Sequence, residues 1–301
     1  MLPLVELFRD KDMPLSTADL LALSTVRIEC PVVGGVSTGS GFYYAMLEDG
    51  ERHVPVIATN KHVVQGMAEG RLHMTRADDD GQPIIGQHVV VTIPNFEQQW
   101  IPHPSDDVDL CVMPIGGVIE QLRVEGQAVF VQRFGRTLIP NDEQLEDLGA
   151  LQQVTMIGYP NGLWDSVNNM PLMRQGVCAT HPGRDYLGRK EFVIDAACYP
   201  GSSGSPVVVF NQGMWHSSQG ANVGGERLIL LGLLYAGPQI TATGEVTVQT
   251  VPTTNRVLAN VPTMMHLGYV IKSKRLLEME EVVRTELTRR GALPAPVSAG
   301  P

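Results

Sequence analysis

The run Cys198-Tyr199-Pro200-Gly201-Ser202-Ser203-Gly204-Ser205-Pro206 sets a serine on a glycine-flanked turn that leads straight into an apolar strand. A nucleophilic hydroxyl needs such a turn, tight enough to leave the side chain exposed. Gly201 leaves room for a carbonyl group to approach the backbone, and Gly204 tolerates angles that other residues resist. The N–H groups of Gly201 and Ser203 can then converge on one point and receive the oxyanion of a tetrahedral adduct. Chemistry of this kind calls for no cofactor and no metal, and none is expected. Taken alone, the segment also reads as an ordinary Gly/Ser-rich turn.

A serine of this type needs a base. In PVIATNKHVVQG an apolar strand ends and delivers His62, where an imidazole beside a cleft can take a proton. The other histidines, at 53, 73, 88, 103, 181, 216 and 266, lack that setting. The base in turn needs a carboxylate. In HPSDDVDLCVMPI, Asp109 opens the apolar run Leu110-Cys111-Val112-Met113, so it sits where the chain enters the core and can be held against an imidazole N–H. Asp106 and Asp107 read as solvated loop charges. STGSGFYYAM, with Gly39-Ser40-Gly41 before Phe42, is adequately explained as a hairpin.

The elements that must position these groups are mostly strands. Short β-rich runs (STVRIECPVV, SGFYYAML, HVPVIATN, QHVVVTIP, DLCVMPIG) are broken by Gly, Pro, Asn and Asp. That spacing predicts an antiparallel barrel or sandwich. A second series follows: QQVTMIGYP, PLMRQGVCATH, EFVIDAACY, SPVVVF, RLILLGLLYAG and GEVTVQTVP, with GRDYLGRKEF as a hairpin turn. Between the two series, Asn141 and Gln144 are spaced as a capping box for a short helix. Ser16 and Asp19 can cap a turn near residue 17. Residues 271–289 carry Leu276, Met279, Val283 and Leu287 on one helical face, the pattern of a helix packed on the last barrel. The expected organisation is an N-terminal arm (1–23), a first β unit (24–120), a linker with a short helix (121–150), a second β unit (151–270), a C-terminal helix (271–290) and a disordered tail (291–301).

Composition bounds the partners. The chain has 301 residues, 43% of them apolar and 18% charged, enough for a real core and too few charges for a disordered chain. A net charge of −10 without a Lys/Arg cluster argues against nucleic acid. No stretch of about 18 apolar residues is present to span a membrane. The first residues lack the marks of a secretion signal, so a cytoplasmic location is expected. The cysteines at 30, 111, 178 and 198 show no CxxC pairing and read as reduced, buried thiols.

GSGF, TNKHVV, DVDLCV and PGSSGSPVV, in this order, resemble the chymotrypsin-fold serine peptidases, and among them the cytosolic and HtrA-like bacterial branch. The resemblance covers about residues 24–270. It implies an all-β chain of two six-stranded antiparallel β-barrels with a C-terminal helix, and an active site between the barrels. It implies a serine endopeptidase in which Ser203 attacks, His62 relays the proton, Asp109 orients His62, and the Gly201 and Ser203 N–H groups form the oxyanion hole. By the same match Ala197 and Cys198 lie at the primary pocket, and Tyr235-Ala236-Gly237 pairs with the backbone of a protein or peptide substrate. A neutral Ala197 disfavours Arg or Lys there and suits a small or medium apolar side chain.

The sequence also departs from the family. Ser202 replaces the aspartate that secreted relatives use to bind a new N-terminus, so Val33-Gly34-Gly35-Val36 has no anionic partner and no such activation is expected. Tyr199 stands where those enzymes have a disulfide, Ser205 replaces a glycine, and no PDZ domain follows. Two rival readings remain: an α/β-hydrolase esterase, opposed by the order His, Asp, Ser, and a catalytically silent peptide-binding module on the same fold. The C-terminal helix as a recruiting element, and the oligomeric state, are left open by the residues.

Overall fold

A computed structural model of the chain describes residues 15–216, 220, 222–237, 239–246 and 257–293. Residues 294–301 of the tail expected at 291–301 and most of the N-terminal arm lie outside these residues, as does the end of the strand read in GEVTVQTVP.

Seven antiparallel strands make the first unit: β1 (Thr25–Val32), β2 (Gly35–Asp49), β3 (Arg52–Thr59), β4 (Glu69–Ala77), β5 (Pro83–Pro94), β6 (Ile101–Pro102) and β7 (Cys111–Pro114). Their order is β5-β4-β1-β2-β3-β7-β6. The strand beyond the expected six is β6, whose two residues pair with Cys111 and Val112. The second unit holds β8 (Gln153–Gly158), β9 (Leu172–Cys178), β10 (Glu191–Asp195), β11 (Pro206–His216), β12 (Asn222–Ala236), β13 (Gln239–Val246), β14 (Val257–Met264) and β15 (Leu267–Lys272). Six of these close a barrel in the order β10-β15-β12-β11-β8-β9, while β13 and β14 form a separate pair between β12 and β15.

The apolar runs are continuous because both faces of the central strands are buried. Side chains alternate across a strand. Tyr43, Ile57, Cys111 and Met113 fill the first unit together with Val26, Ile28, Leu72 and Met74. Their neighbours Phe42, Tyr44, Val56, Ala58 and Val112 face a second core between the units, shared with Val208, Leu230 and Leu233. Val207, Val209, Ile229 and Val270 line the barrel of the second unit.

Short helices tie the strands together. Ser16 and Asp19 form the capping box of α1 (Thr17–Leu23). A one-turn α2 (Lys61–Val64) follows β3, and α3 (Phe96–Gln99) and α4 (Gly116–Val124) flank the strands of the first unit. Asn141 and Gln144 form the capping box of α5 (Asp142–Glu146). The C-terminal segment is α6 (Lys274–Glu278) and α7 (Glu280–Arg289), and residues 271–272, read as helix from the sequence, belong to β15. Leu276, Met279, Val283 and Leu287 are all buried, in the core between the units as much as on the last barrel. Among the described residues no helix is long and apolar enough to cross a membrane.

Candidate active site

The serine turn is shaped from both units. Gly201 and Gly204 each have φ of +85°, a conformation that only glycine adopts freely. Ser202 N–H donates to Tyr199 C=O (3.0 Å), Ser205 N–H to Ser202 C=O (3.0 Å) and Gly204 N–H to Leu234 C=O at the end of β12 (2.8 Å). From β2, Ser40 N–H donates to Ser203 C=O (2.9 Å) and Ser40 Oγ to Gly201 C=O (2.8 Å). The Ser40 carbonyl accepts from Thr59 Oγ1 at the end of β3 (2.7 Å). The end of β3 is thereby fixed beside the serine turn, and His62 follows three residues later on α2.

Asp109 holds His62 at two points. Its Oδ2 lies 2.5 Å from His62 Nδ1, and its Oδ1 accepts the His62 backbone N–H at 3.1 Å. Asn60 Nδ2 donates to the Asp109 carbonyl (2.7 Å), securing the backbone as well. An ionised carboxylate only accepts, so Nδ1 carries the proton and Nε2 keeps its lone pair. The imidazole is 47% exposed, open to an incoming substrate. Ser203 Oγ donates to the Tyr235 carbonyl at 3.4 Å, and among the described residues no hydrogen bond joins it to His62. A cavity of about 480 Å³ lies against His62 and Asp109 and is lined by Lys61, Gln65, Trp100, Pro102 and Asp106; Ser203 does not line it.

Beside the serine, Asn161 N–H donates to Pro200 C=O at 2.5 Å. The Pro200–Gly201 peptide is trans, so the Gly201 N–H points to the opposite side from Asn161. Neither it nor the Ser203 N–H has an acceptor among the described residues. Asn161 has φ of +50°; its loop was not read as part of the site, although Asn161-Gly162 is a turn signal in the sequence. Ser40, Thr59 and Asn60 were within reach only as members of GSGF and TNKHVV.

The substrate-binding candidates are not all alike. Tyr235, Ala236 and Gly237 run along and past the end of β12 next to Ser203. Ala197 is half-buried, and its carbonyl accepts from the Arg174 guanidinium, which also lies 4.9 Å over the Tyr199 ring. Cys198 is buried in the core of the second barrel, its thiol close against Gly268. All cysteines are free and buried. Burial pushes the thiols of Cys30 and Cys198 up to about 11 and that of Cys178 to about 12, and holds Cys111 well above its ordinary range. A thiolate nucleophile is therefore not on offer near neutral pH. Among the described residues no group of three or more His, Cys, Asp or Glu could hold a metal ion.

The chain matches the family model described as trypsin-like peptidase domain over residues 39–214, more than half its length. No curated protein matches it. Solved structures that match the chain include an HtrA-type protease, AlgW, with tripeptide (16% identity, TM-score 0.45, covering 92% of this chain and 65% of that one). Another is the serine endoprotease from Yersinia pestis (15%, TM-score 0.41, 93% and 68%). A third is the active form of the Rv3671c protease from M. tuberculosis (14%, TM-score 0.41, 94% and 87%). The chain thus spans about two thirds of the length of the first two.

Proposed function

The chain belongs to the trypsin-like peptidase domain family, and from that premise we propose that it is a serine endopeptidase with Ser203, His62 and Asp109 as its triad and the N–H groups of Gly201 and Ser203 as its oxyanion hole. The observation that carries this reading is the double hold of Asp109 on His62, which leaves Nε2 as a free base.

Each step follows from that arrangement. Ser203 Oγ turns about its side-chain bond from the Tyr235 carbonyl toward Nε2, an exchange between staggered rotamers against one long hydrogen bond. Nε2 takes the hydroxyl proton as Oγ adds to the scissile carbonyl, and Asp109 stabilises the imidazolium that results. The carbonyl oxygen becomes an anion that two N–H groups without other acceptors can receive, each such donor being worth roughly 3–4 kcal/mol. Nε2 then gives its proton to the leaving amine, and water repeats the sequence on the acyl-enzyme. A peptide backbone added along Tyr235-Ala236-Gly237 presents the bond, with a small or medium apolar residue beside Ala197.

The turn of Ser203 Oγ to Tyr235 favours a second reading, a silent peptide-binding module. A serine-directed phosphonate separates the two. Labelling of the intact protein that is absent from Ser203→Ala supports the peptidase. Peptide binding without any labelling supports the silent module. New N-termini that appear in a proteome treated with the intact protein, and not with Ser203→Ala, would then identify the substrates. A cleavage profile dominated by Arg or Lys would overturn the pocket assignment.

A further inference from the structure

The loop 103–109, which delivers Asp109, is bonded at one end and lies close at the other to groups from outside the first unit. At one end Arg189, in the hairpin before β10, donates from Nη2 to the Asp107 carbonyl at 3.2 Å. Asp107 is two residues from Asp109. The same guanidinium places Nε 3.3 Å from Glu191 Oε1, and Glu191, a buried carboxylate, accepts the Tyr235 hydroxyl at Oε2 (2.9 Å). Tyr235 is the residue whose carbonyl holds Ser203 Oγ. At the other end His103 has a fully buried imidazole that accepts Ser105 N–H at Nδ1 (3.1 Å) and lies 3.4 Å from Glu278 Oε2 through Nε2. Glu278, the last residue of α6, also pairs with Lys190 of the same hairpin at 3.0 Å.

From this we infer that Arg189 and Glu278 are positioning residues for the triad, fixing the Asp109 loop to the strand that carries Tyr235. The inference rests on the triad reading above. The residues touch no substrate and act through Asp109. The Arg189 side chain is about half exposed, where ion pairs contribute only about 0–1 kcal/mol to stability. Its removal should therefore disturb the geometry of the acid far more than the fold. The guanidinium meets Glu191 and Asp107 with two separate nitrogens set in a rigid plane, a geometry that the single nitrogen of an ammonium does not reproduce.

The test is the pH profile of phosphonate labelling for the intact protein, Arg189→Ala, Arg189→Lys and Glu278→Gln, with thermal midpoints measured alongside. A loosened Asp109 stabilises the imidazolium less, so the acidic limb, set by His62, moves to lower pH. Deleting a cation without loosening Asp109 would move it to higher pH, and Arg189→Lys keeps the charge. The expected result is a labelling rate down by about tenfold to a hundredfold in all three variants, a downward limb in both Arg189 variants, and midpoints close to that of the intact protein; in Glu278→Gln the rate alone is the readout, because removing an anion lowers the limb by itself. If the intact protein labels and the limb stays or rises in both Arg189 variants, or Glu278→Gln labels at the intact rate, the inference is overturned while the peptidase reading stands. If the intact protein does not label at all, that reading falls and takes this one with it.

Discussion

Asp109 spends one oxygen on the imidazole of His62 and the other on its backbone N–H, at 2.5 and 3.1 Å. The side chain and the main chain of one residue are thus fixed by a single carboxylate, which sets ring orientation as well as tautomer.

An amide at this position can accept only one of those two hydrogen bonds and presents an N–H to the other. Asp109→Asn should therefore leave the fold intact and lower kcat by roughly 10⁴-fold, the loss known for the same change in the triad template. Circular dichroism together with peptide turnover checks it. Turnover within a factor of about ten of the intact protein would remove Asp109 from the mechanism.

Ser40 is fully buried, and its hydroxyl serves two bonds, donating to Gly201 C=O (2.8 Å) and accepting Tyr159 N–H (3.0 Å). Ser40→Ala leaves both groups without a partner. Each orphaned buried group costs about 1–3 kcal/mol, so the melting temperature should drop and kcat should fall as the turn loosens. Unchanged melting and turnover would show that water can replace the hydroxyl.

A methyl group at Gly204 meets the Ser40 carbonyl oxygen at 2.0 Å and Thr59 Oγ1 at 2.4 Å. The strain of φ +85° comes on top of this clash, so Gly204→Ala should destabilise by more than about 1 kcal/mol and abolish phosphonate labelling. Normal labelling by a folded Gly204→Ala would mean that the turn can be rebuilt.

Stability should fall in acid in two stages. Burial lowers the pKa of His73 against the opposing effect of Glu29, and that of His103 against Glu278. A folded-state pKa below the unfolded value of about 6.5 means that the unfolded chain binds more protons in the window between them. The contribution of these imidazoles is thus complete above that pH and lost as pH falls through the folded values. Burial would raise Glu29 and Glu278, but Arg27 and His73 hold the first below its ordinary 4.5, and Arg275 and Lys190 the second. Their contribution is present above 4.5 and lost as pH falls through the lower folded values. Thermal melts from about pH 8 to 2 should show both stages, and His73→Gln should flatten the first. A midpoint constant from about pH 7.5 to 5 would contradict this.

The β-rich segments and the capping boxes at Ser16 and Asn141 were legible because they depend on neighbours in sequence. The apolar face of Leu276, Met279, Val283 and Leu287 was legible too, but its burial against Tyr44 and Phe134 was not, since that partner lies in the other unit. His62, Asp109 and Ser203 could be proposed from residue types and order. The groups around them, Ser40, Asn161 and Arg189, bond to backbone carbonyls of distant segments, and a backbone carbonyl is the same at every residue, so the sequence does not mark which one will be the partner. Cys198 shows the limit of adjacency: it follows Ala197 in sequence, past the end of β10, yet its side chain packs into the core of the second barrel while Ala197 is half-buried. The β13–β14 pair was not anticipated as a separate sheet: GEVTVQTVP, which overlaps β13, reads like a strand of the barrel, and residues 257–264, which form β14, were not read as a strand.

Two of the hydrogen bonds that shape the turn at Ser203 come from β2. On the serine peptidase reading, a chain with only one unit folded lacks a formed nucleophile turn, so activity would begin only once the two units have docked.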